Sequence, residues 1–211
     1  MTGVNTILLD LGGVLIDVDY DRTARAFRAL GFEDFDRLYS KAKQTDLFDR
    51  FETGDLDAAG FRDGVRGLFR PDLTDSEIDA CWNAMLGSIP QERLDLVEAL
   101  KERYQVLLLS NTNAIHVPAF TEIVRRENHI ADFKGLFHGA YYSCELGLRK
   151  PDKEAFIHVL ERHGAIAAAT LFIDDSIQHV EGARKAGLRA EHLELDREDV
   201  IGLLRRLGLI S

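Results

Sequence analysis

Five short runs of strand character, Thr6–Leu11, Gln105–Ser110, Leu136–Tyr142, Thr170–Asp174 and Arg189–Leu193, recur along this chain with helix-patterned sequence between them. Strands separated by helices pair as a parallel sheet, and such strands carry apolar residues on both faces. The stretch Gln91–Arg103 places Leu94, Val97 and Leu100 on one helical face, and Lys153–His163 does the same with Phe156, Val159 and Leu160. Pro90 and Pro151 stand where a first helical turn is expected. These segments are predicted to be crossover helices packed on the sheet.

The pattern changes between the first two strands. Phe27 and Leu30, then Leu38 in a helix expected over 35–43, then Leu47, Phe48 and Phe51, then Phe61, Val65 and Leu68 mark successive amphipathic helices. Gly31, Gly54 and Arg70-Pro71-Asp72 punctuate them, and Thr74 followed by Glu77 matches a capping box. A helical insert directly after the first strand would overhang the carboxyl edge of the sheet, the position of a lid. The expected division is a core of residues 1–16 and 88–211 and a helical cap of residues 17–87.

Composition limits the function classes. With 211 residues, 45% of them hydrophobic, the chain can bury a sizeable core. A formal charge of -10, with acidic residues spread along the chain, argues against a broad nucleic-acid surface, but not against a small phosphate ester held by local donors and a cation. Cys81 and Cys144 are far apart and match neither a disulfide framework nor a zinc spacing. The first 20 residues carry no basic leader, and Asp10 and Asp17 interrupt their apolar stretch short of a membrane span. A cytoplasmic protein acting on a small phosphorylated metabolite, with neither nucleic acid nor membrane as partner, is the expectation.

The chemistry-bearing residues fall at strand ends and loops, in the order Asp10, Ser110-Asn111, Lys150, Asp174-Asp175. Ligands of open α/β sheets gather outside the carboxyl ends of the strands. A carboxylate approaching a phosphate dianion meets repulsion of roughly 4 kcal/mol per pair of unit charges at about 4 Å in a protein-like dielectric, so cations must be close. Asp174 and Asp175 can complete an oxygen-rich magnesium site with Asp10. Lys150 adds positive charge, and Ser110 with the Asn111 backbone N–H can donate to phosphate oxygens. Singly, each has a plain structural reading as a turn, a cap or a solvated lysine; their order and placement together favour phosphoryl transfer.

The segments Leu8-Leu9-Asp10-Leu11-Gly12-Gly13-Val14-Leu15, Leu109-Ser110-Asn111-Thr112-Asn113, Arg149-Lys150-Pro151-Asp152 and Phe172-Ile173-Asp174-Asp175-Ser176 resemble the four motifs of the haloacid dehalogenase-like hydrolase superfamily. Asp17-Val18-Asp19-Tyr20 and Glu52-Thr53-Gly54-Asp55 further resemble its bacterial α-D-glucose-1-phosphate phosphatase branch. The resemblance implies an α/β fold, a Rossmann-like doubly wound parallel sheet with an inserted helical cap of the C1 type. It also implies magnesium-dependent phosphatase chemistry through an aspartyl phosphate on Asp10. Lys150 would then be catalytic with Asp10, and Ser110, Asn111 and Lys150 would bind substrate. Asp10, the Gly12 carbonyl, Asp174 and Asp175 would hold Mg2+.

One position departs from that pattern. Most phosphatases of the superfamily carry an acid–base aspartate two residues after the nucleophile, where this chain has Gly12. Acid–base help is typically worth about 10²- to 10⁴-fold, so its loss favours leaving groups of low pKa, such as the anomeric hydroxyl of a sugar 1-phosphate. Asp17, Asp19, Tyr20 and His116 are candidate substitutes for the missing acid. The rival readings are a metal-independent 2-haloacid dehalogenase, which the paired Asp174-Asp175 opposes, and a catalytically silent member that binds a phosphorylated ligand or a protein.

Overall fold

A computed structural model describes residues 3–32, 46–68 and 70–210. At its centre lies a five-stranded parallel sheet in the order β3-β2-β1-β4-β5, with β1 Thr6–Leu9, β2 Gln105–Ser110, β3 Gly139–Tyr142, β4 Thr170–Asp174 and β5 Arg189–His192. The chain winds outward from β1 in both directions, so the carboxyl end of β1 opens into the crevice at the topological switch point.

The strand period of two explains the layers. Ile7, Leu9, Val106, Leu108, Leu171 and Ile173 face one side, where the helices Gln91–Lys101, His116–Glu127 and Val200–Arg206 cover them. Leu8, Leu107, Leu109 and Phe172 face the other, against the helices Lys153–Arg162 and Ile177–Lys185. The α/β doubly wound parallel sheet is therefore observed as expected. Each of these fully buried side chains contributes roughly 1.5–3 kcal/mol.

The helices Tyr20–Ala29, Leu47–Glu52, Ala58–Leu68 and Asp75–Asn83 form a second body around Phe27, Phe51, Phe61, Val65, Ile78 and Trp82. Phe51 and Phe61 stack with centroids 4.1 Å apart, and Ile115 joins this cluster from the sheet domain. Thr74 and Glu77 form the expected capping box. The chain enters and leaves this helical region through paired connectors: Asp17 N–H donates to Ser88 at 3.0 Å, Gly87 N–H to Asp17 at 2.8 Å, and Asp19 N–H to Met85 at 2.9 Å.

Local bounds differ from the sequence expectation where side chains compete with the ladder. The third strand begins at Gly139 rather than Leu136, because Asp132 accepts the Gly135 N–H at 3.0 Å and a 3-10 turn, Lys134–Leu136, forms instead. Pro90 takes the N-cap position and Pro151 lies before the Asp152 N-cap, each just outside its helix rather than in the first turn. The helix expected over 35–43 lies outside the described residues. Among the described residues no helix is long and apolar enough to cross a membrane.

Candidate active site

Parallel pairing in register puts the ends of β1, β2 and β4 at one level. Leu9 pairs with Leu108 and Ile173, and the Asp10 N–H continues the ladder to the Ile173 carbonyl at 3.0 Å. Asp10, Asp174 and Asp175 thereby bring carboxylate oxygens within 4.8 Å of one another, although more than 160 residues separate them in sequence. Lys150 reaches the same point from the loop after β3. Its Nζ lies 2.6 Å from Asp10 Oδ1 and 2.7 Å from Asp174 Oδ2, and the side chain is fully buried.

Burial and charge act against each other here. Burial pushes the Asp10 carboxyl up to about 7, with Lys150 opposing and Asp174 adding to the rise. Burial also raises Asp175, and the Asp174 charge raises it further. For Asp174, burial pushes upward, but Lys150 and His179 more than offset it and hold the carboxyl below the ordinary range. Burial alone would lower the Lys150 ammonium, yet Asp10 and Asp174 keep it above its usual value. Three clustered carboxylates facing one ammonium leave surplus negative charge, and a hard divalent cation with oxygen ligands fits that deficit.

The donor geometry separates the adjacent acids. Asp174 is fully buried; its Oδ1 accepts from Ser176 N–H at 2.8 Å, and both its oxygens lie 3.0 Å from His179 Nδ1. With Lys150 on Oδ2, Asp174 is engaged on both oxygens, which leaves Asp175 the less occupied partner of Asp10. Asp175 approaches through space that Gly13 leaves open. Gly13 has φ +68°, and a Cβ there would overlap Asp175 Oδ2. Gly12, by contrast, would present a Cβ to Val18 Cγ2 at an ordinary 3.5 Å.

Ser110 ends β2 and is buried. Asn111 is placed differently from a simple phosphate donor: its Nδ2 donates to the Lys150 carbonyl at 2.8 Å and its Oδ1 accepts the Lys150 N–H at 2.9 Å. Ahead of the helix that follows, Asn113 Oδ1 accepts from the Ile115 and His116 N–H groups at 3.1 and 3.0 Å.

The candidate substitutes for an acid are engaged elsewhere. His116 stacks on Trp82 with centroids 5.5 Å apart, and its Nδ1 lies 2.8 Å from Asn83 Oδ1. Burial pushes its imidazole down to about 4, so it is neutral near pH 7. Asp17 pairs with Arg93 at 2.8 Å, while Asp19 caps the Tyr20–Ala29 helix and pairs with Arg25 at 3.1 Å. Tyr20 is exposed.

Sequence reasoning missed His179, and it placed Gly13 and Arg149 inside motif segments without giving either a role of its own. The five-residue spacing of His179 from Asp174, little more than one helical turn beyond the strand end, was the signal available for the first. Arg149 sits beside Lys150 and reaches away from the sheet to pair with Asp49 and, at 2.9 Å, with Glu52, both on the helix Leu47–Glu52.

Comparison with known proteins agrees with this arrangement. Residues 4–187 match the family described as haloacid dehalogenase-like hydrolase. The chain is 31% identical over 189 residues to the D-ribitol-5-phosphate phosphatase of Bacteroides thetaiotaomicron, covering 87% of this chain and 89% of that protein. A HAD family enzyme of Bacteroides thetaiotaomicron, solved with magnesium and inorganic phosphate, superposes with a TM-score of 0.84 at 35% identity, covering 96% of this chain and 100% of that one. A HAD-like hydrolase from Porphyromonas gingivalis gives a TM-score of 0.87 at 27% identity, with full coverage of both chains.

Proposed function

The chain belongs to the haloacid dehalogenase-like hydrolases, and from that premise we propose that it is a magnesium-dependent phosphatase acting on a small, hydroxyl-bearing phosphate monoester. The observation that carries this reading is Lys150 held between Asp10 and Asp174 with Asp175 alongside, a buried site whose negative charge calls for a divalent cation. The magnesium and phosphate held by the similar Bacteroides enzyme support it.

In this reading Asp10 attacks phosphorus through one carboxylate oxygen; the bond to the leaving oxygen breaks, and that oxygen departs as an alkoxide that takes its proton from solvent water. Water then attacks the aspartyl phosphate and releases inorganic phosphate, restoring the carboxylate. Lys150 neutralises charge on Asp10 and on the phosphoryl group and opposes the rise that burial imposes on the nucleophile's carboxyl. Ser110 and the Asn111 backbone N–H hold phosphoryl oxygens, and Asn111's side chain fixes the backbone of Lys150. Asp10, the Gly12 carbonyl and Asp175, with Asp174 behind, would hold Mg2+, which when bound screens the carboxylate–phosphate repulsion. We read residues 17–87 as the cap and residues 1–16 and 88–211 as the catalytic core.

Two ester types fit. The name of the D-ribitol-5-phosphate phosphatase supports an alditol phosphate. Gly12, with no acid to protonate the leaving oxygen, supports a sugar 1-phosphate, the reading of the α-D-glucose-1-phosphate phosphatase branch. Phosphate release from p-nitrophenyl phosphate, D-ribitol 5-phosphate, glucose 1-phosphate and glucose 6-phosphate, with magnesium or EDTA, tests this directly. Magnesium-dependent release that Asp10→Asn abolishes is expected, and the substrate order selects between the ester types. Release from none of the four would overturn the proposal.

A further inference from the structure

Buried polar atoms in folded proteins are nearly always hydrogen-bonded, so exceptions call for a reason. Two of them stand side by side at the seam between the helical region and the lysine loop. Glu52 Oε2 and Arg149 Nε are both closed off from solvent, and neither has a hydrogen-bond partner among the described residues. Arg149 Nη2 lies 2.9 Å from Glu52 Oε2, close enough for an ion pair but outside hydrogen-bonding geometry. The other arm of the guanidinium, Nη1, is taken by Asp49. One unsatisfied donor and one unsatisfied acceptor therefore face the same seam.

The seam adjoins the phosphoryl site. Arg149 precedes Lys150, and Glu52 ends the helix Leu47–Glu52, which contacts the short helix Ser143–Leu146 just ahead of the two basic residues. Gly54 brings the chain after Glu52 so near that short helix that a Cβ there would overlap the Cys144 carbonyl oxygen. Burial raises the Glu52 carboxyl, Arg149 opposing and Asp49 adding to the rise, and the charges of His179 and Lys150 are also felt there. A carboxylate this close to a phosphate site repels the phosphate, so it suits another part of the ligand.

A hydroxyl group is the chemical complement of this pair, since it accepts one hydrogen bond and donates another. We propose that Glu52 and Arg149 are specificity-determining residues that recognise a hydroxyl on the leaving group, which accepts from Arg149 Nε and donates to Glu52 Oε2. Both atoms are sheltered in the present arrangement, so the hydroxyl enters as the end of the Leu47–Glu52 helix shifts outward and exchanges a poorly aligned ion contact for two aligned hydrogen bonds. This rests on the phosphatase reading and narrows its substrates to esters of polyhydroxylated chains or rings. Sites built to bond a hydroxyl discriminate strongly against ligands that lack it, because their own polar groups are then left unpaired.

The test compares D-ribitol 5-phosphate with p-nitrophenyl phosphate, whose leaving group has no alcohol to offer. For the native protein, Glu52→Gln and Arg149→Lys, the ratio of kcat/KM for the two esters is measured with magnesium. Calorimetry then measures binding of D-ribitol 5-phosphate and of inorganic phosphate to the Asp10→Asn protein, with and without Glu52→Gln. The expected result is a fall of at least about tenfold in the ester ratio for both variants. Weaker binding of the ribitol ester relative to inorganic phosphate should accompany it. An unchanged ratio, with both esters slowed alike, would make the pair a structural strap and overturn the inference while leaving the phosphatase reading intact. Where glucose 1-phosphate is the better substrate it replaces D-ribitol 5-phosphate in the ratio, and release from none of the four esters by the native protein overturns both readings. Glu52→Gln and Arg149→Lys preserve side-chain size, and a melting temperature for each identifies a variant that fails to fold; the other then carries the comparison.

Discussion

The side-chain amide of Asn111 closes a two-bond ring with the backbone of Lys150, donating to its carbonyl at 2.8 Å and accepting its N–H at 2.9 Å. The end of β2 thus fixes Lys150, whose ammonium joins Asp10 to Asp174. Asn111→Ala removes both bonds, and each is worth roughly 1 kcal/mol, more where a buried group is left unpaired. Asn111→Asp keeps the acceptor for the N–H but sets a carboxylate against the Lys150 carbonyl. Both variants are expected to lower kcat about 10- to 100-fold with a smaller change in KM, Asn111→Asp the more severely, because a misplaced catalytic group costs rate at that scale. Steady-state kinetics on p-nitrophenyl phosphate would show it, and an unchanged kcat would count against the clamp.

Gly13→Ala tests the approach of Asp175. An alanine Cβ would stand 2.7 Å from Asp175 Cγ, at a position whose φ of +68° is already unfavourable for a side chain. Displacing a carboxylate around a metal typically costs about 10- to 100-fold in affinity, and that loss is expected in magnesium titrations followed by calorimetry.

Gly12→Asp supplies the acid that this position lacks. Among the described residues the neighbour within 4 Å of a new Cβ is Val18 Cγ2 at 3.5 Å, an ordinary contact, so the backbone should accept the substitution. Turnover of D-ribitol 5-phosphate is expected to rise at least about tenfold relative to p-nitrophenyl phosphate, since an alkoxide gains more from protonation than a phenolate does. A flat ratio would mean that the leaving oxygen already receives its proton from another source.

His116 should make the fold acid-sensitive. Its imidazole falls from 6.5 to about 4 in the native state because it is buried, so below pH 6.5 the unfolded chain takes up a proton that the folded chain refuses. Stability is therefore lost as pH drops from 6.5 toward about 4, and linkage puts the loss near 2–3 kcal/mol at about pH 4.5. Urea unfolding at about pH 7 and pH 4.5 should show a smaller acid penalty in His116→Gln than in the native protein. Equal penalties would place the acid sensitivity in the carboxylates instead.

Much of this was legible from local sequence. Strand period and helix period located the five strands and the helices between them, and the Thr74–Glu77 cap appeared where its spacing required. Asp10, Ser110, Lys150 and Asp174 fall at the strand ends and loop where their order placed them. The misplacements were local competitions: an Asp132 side chain took the Gly135 amide and delayed β3, and two prolines sat just outside their helices.

The sequence by itself determined the layers and the set of reactive groups, because apolar periodicity dictates which faces must be buried and strand ends carry whatever residue follows the apolar run. Tertiary structure alone decided which of two adjacent aspartates is tied to Lys150 and His179 and which approaches through Gly13, and it turned Asn111's side chain to Lys150. It also removed His116 from consideration as a free acid by stacking it on Trp82 and set Arg149 against Glu52. Those outcomes depend on distances between segments more than 160 residues apart, as for Gly13 and Asp175, and on the loss of water around them. Neither is written in any local pattern, because hydrogen-bond geometry and desolvation exist only once the strands are in register.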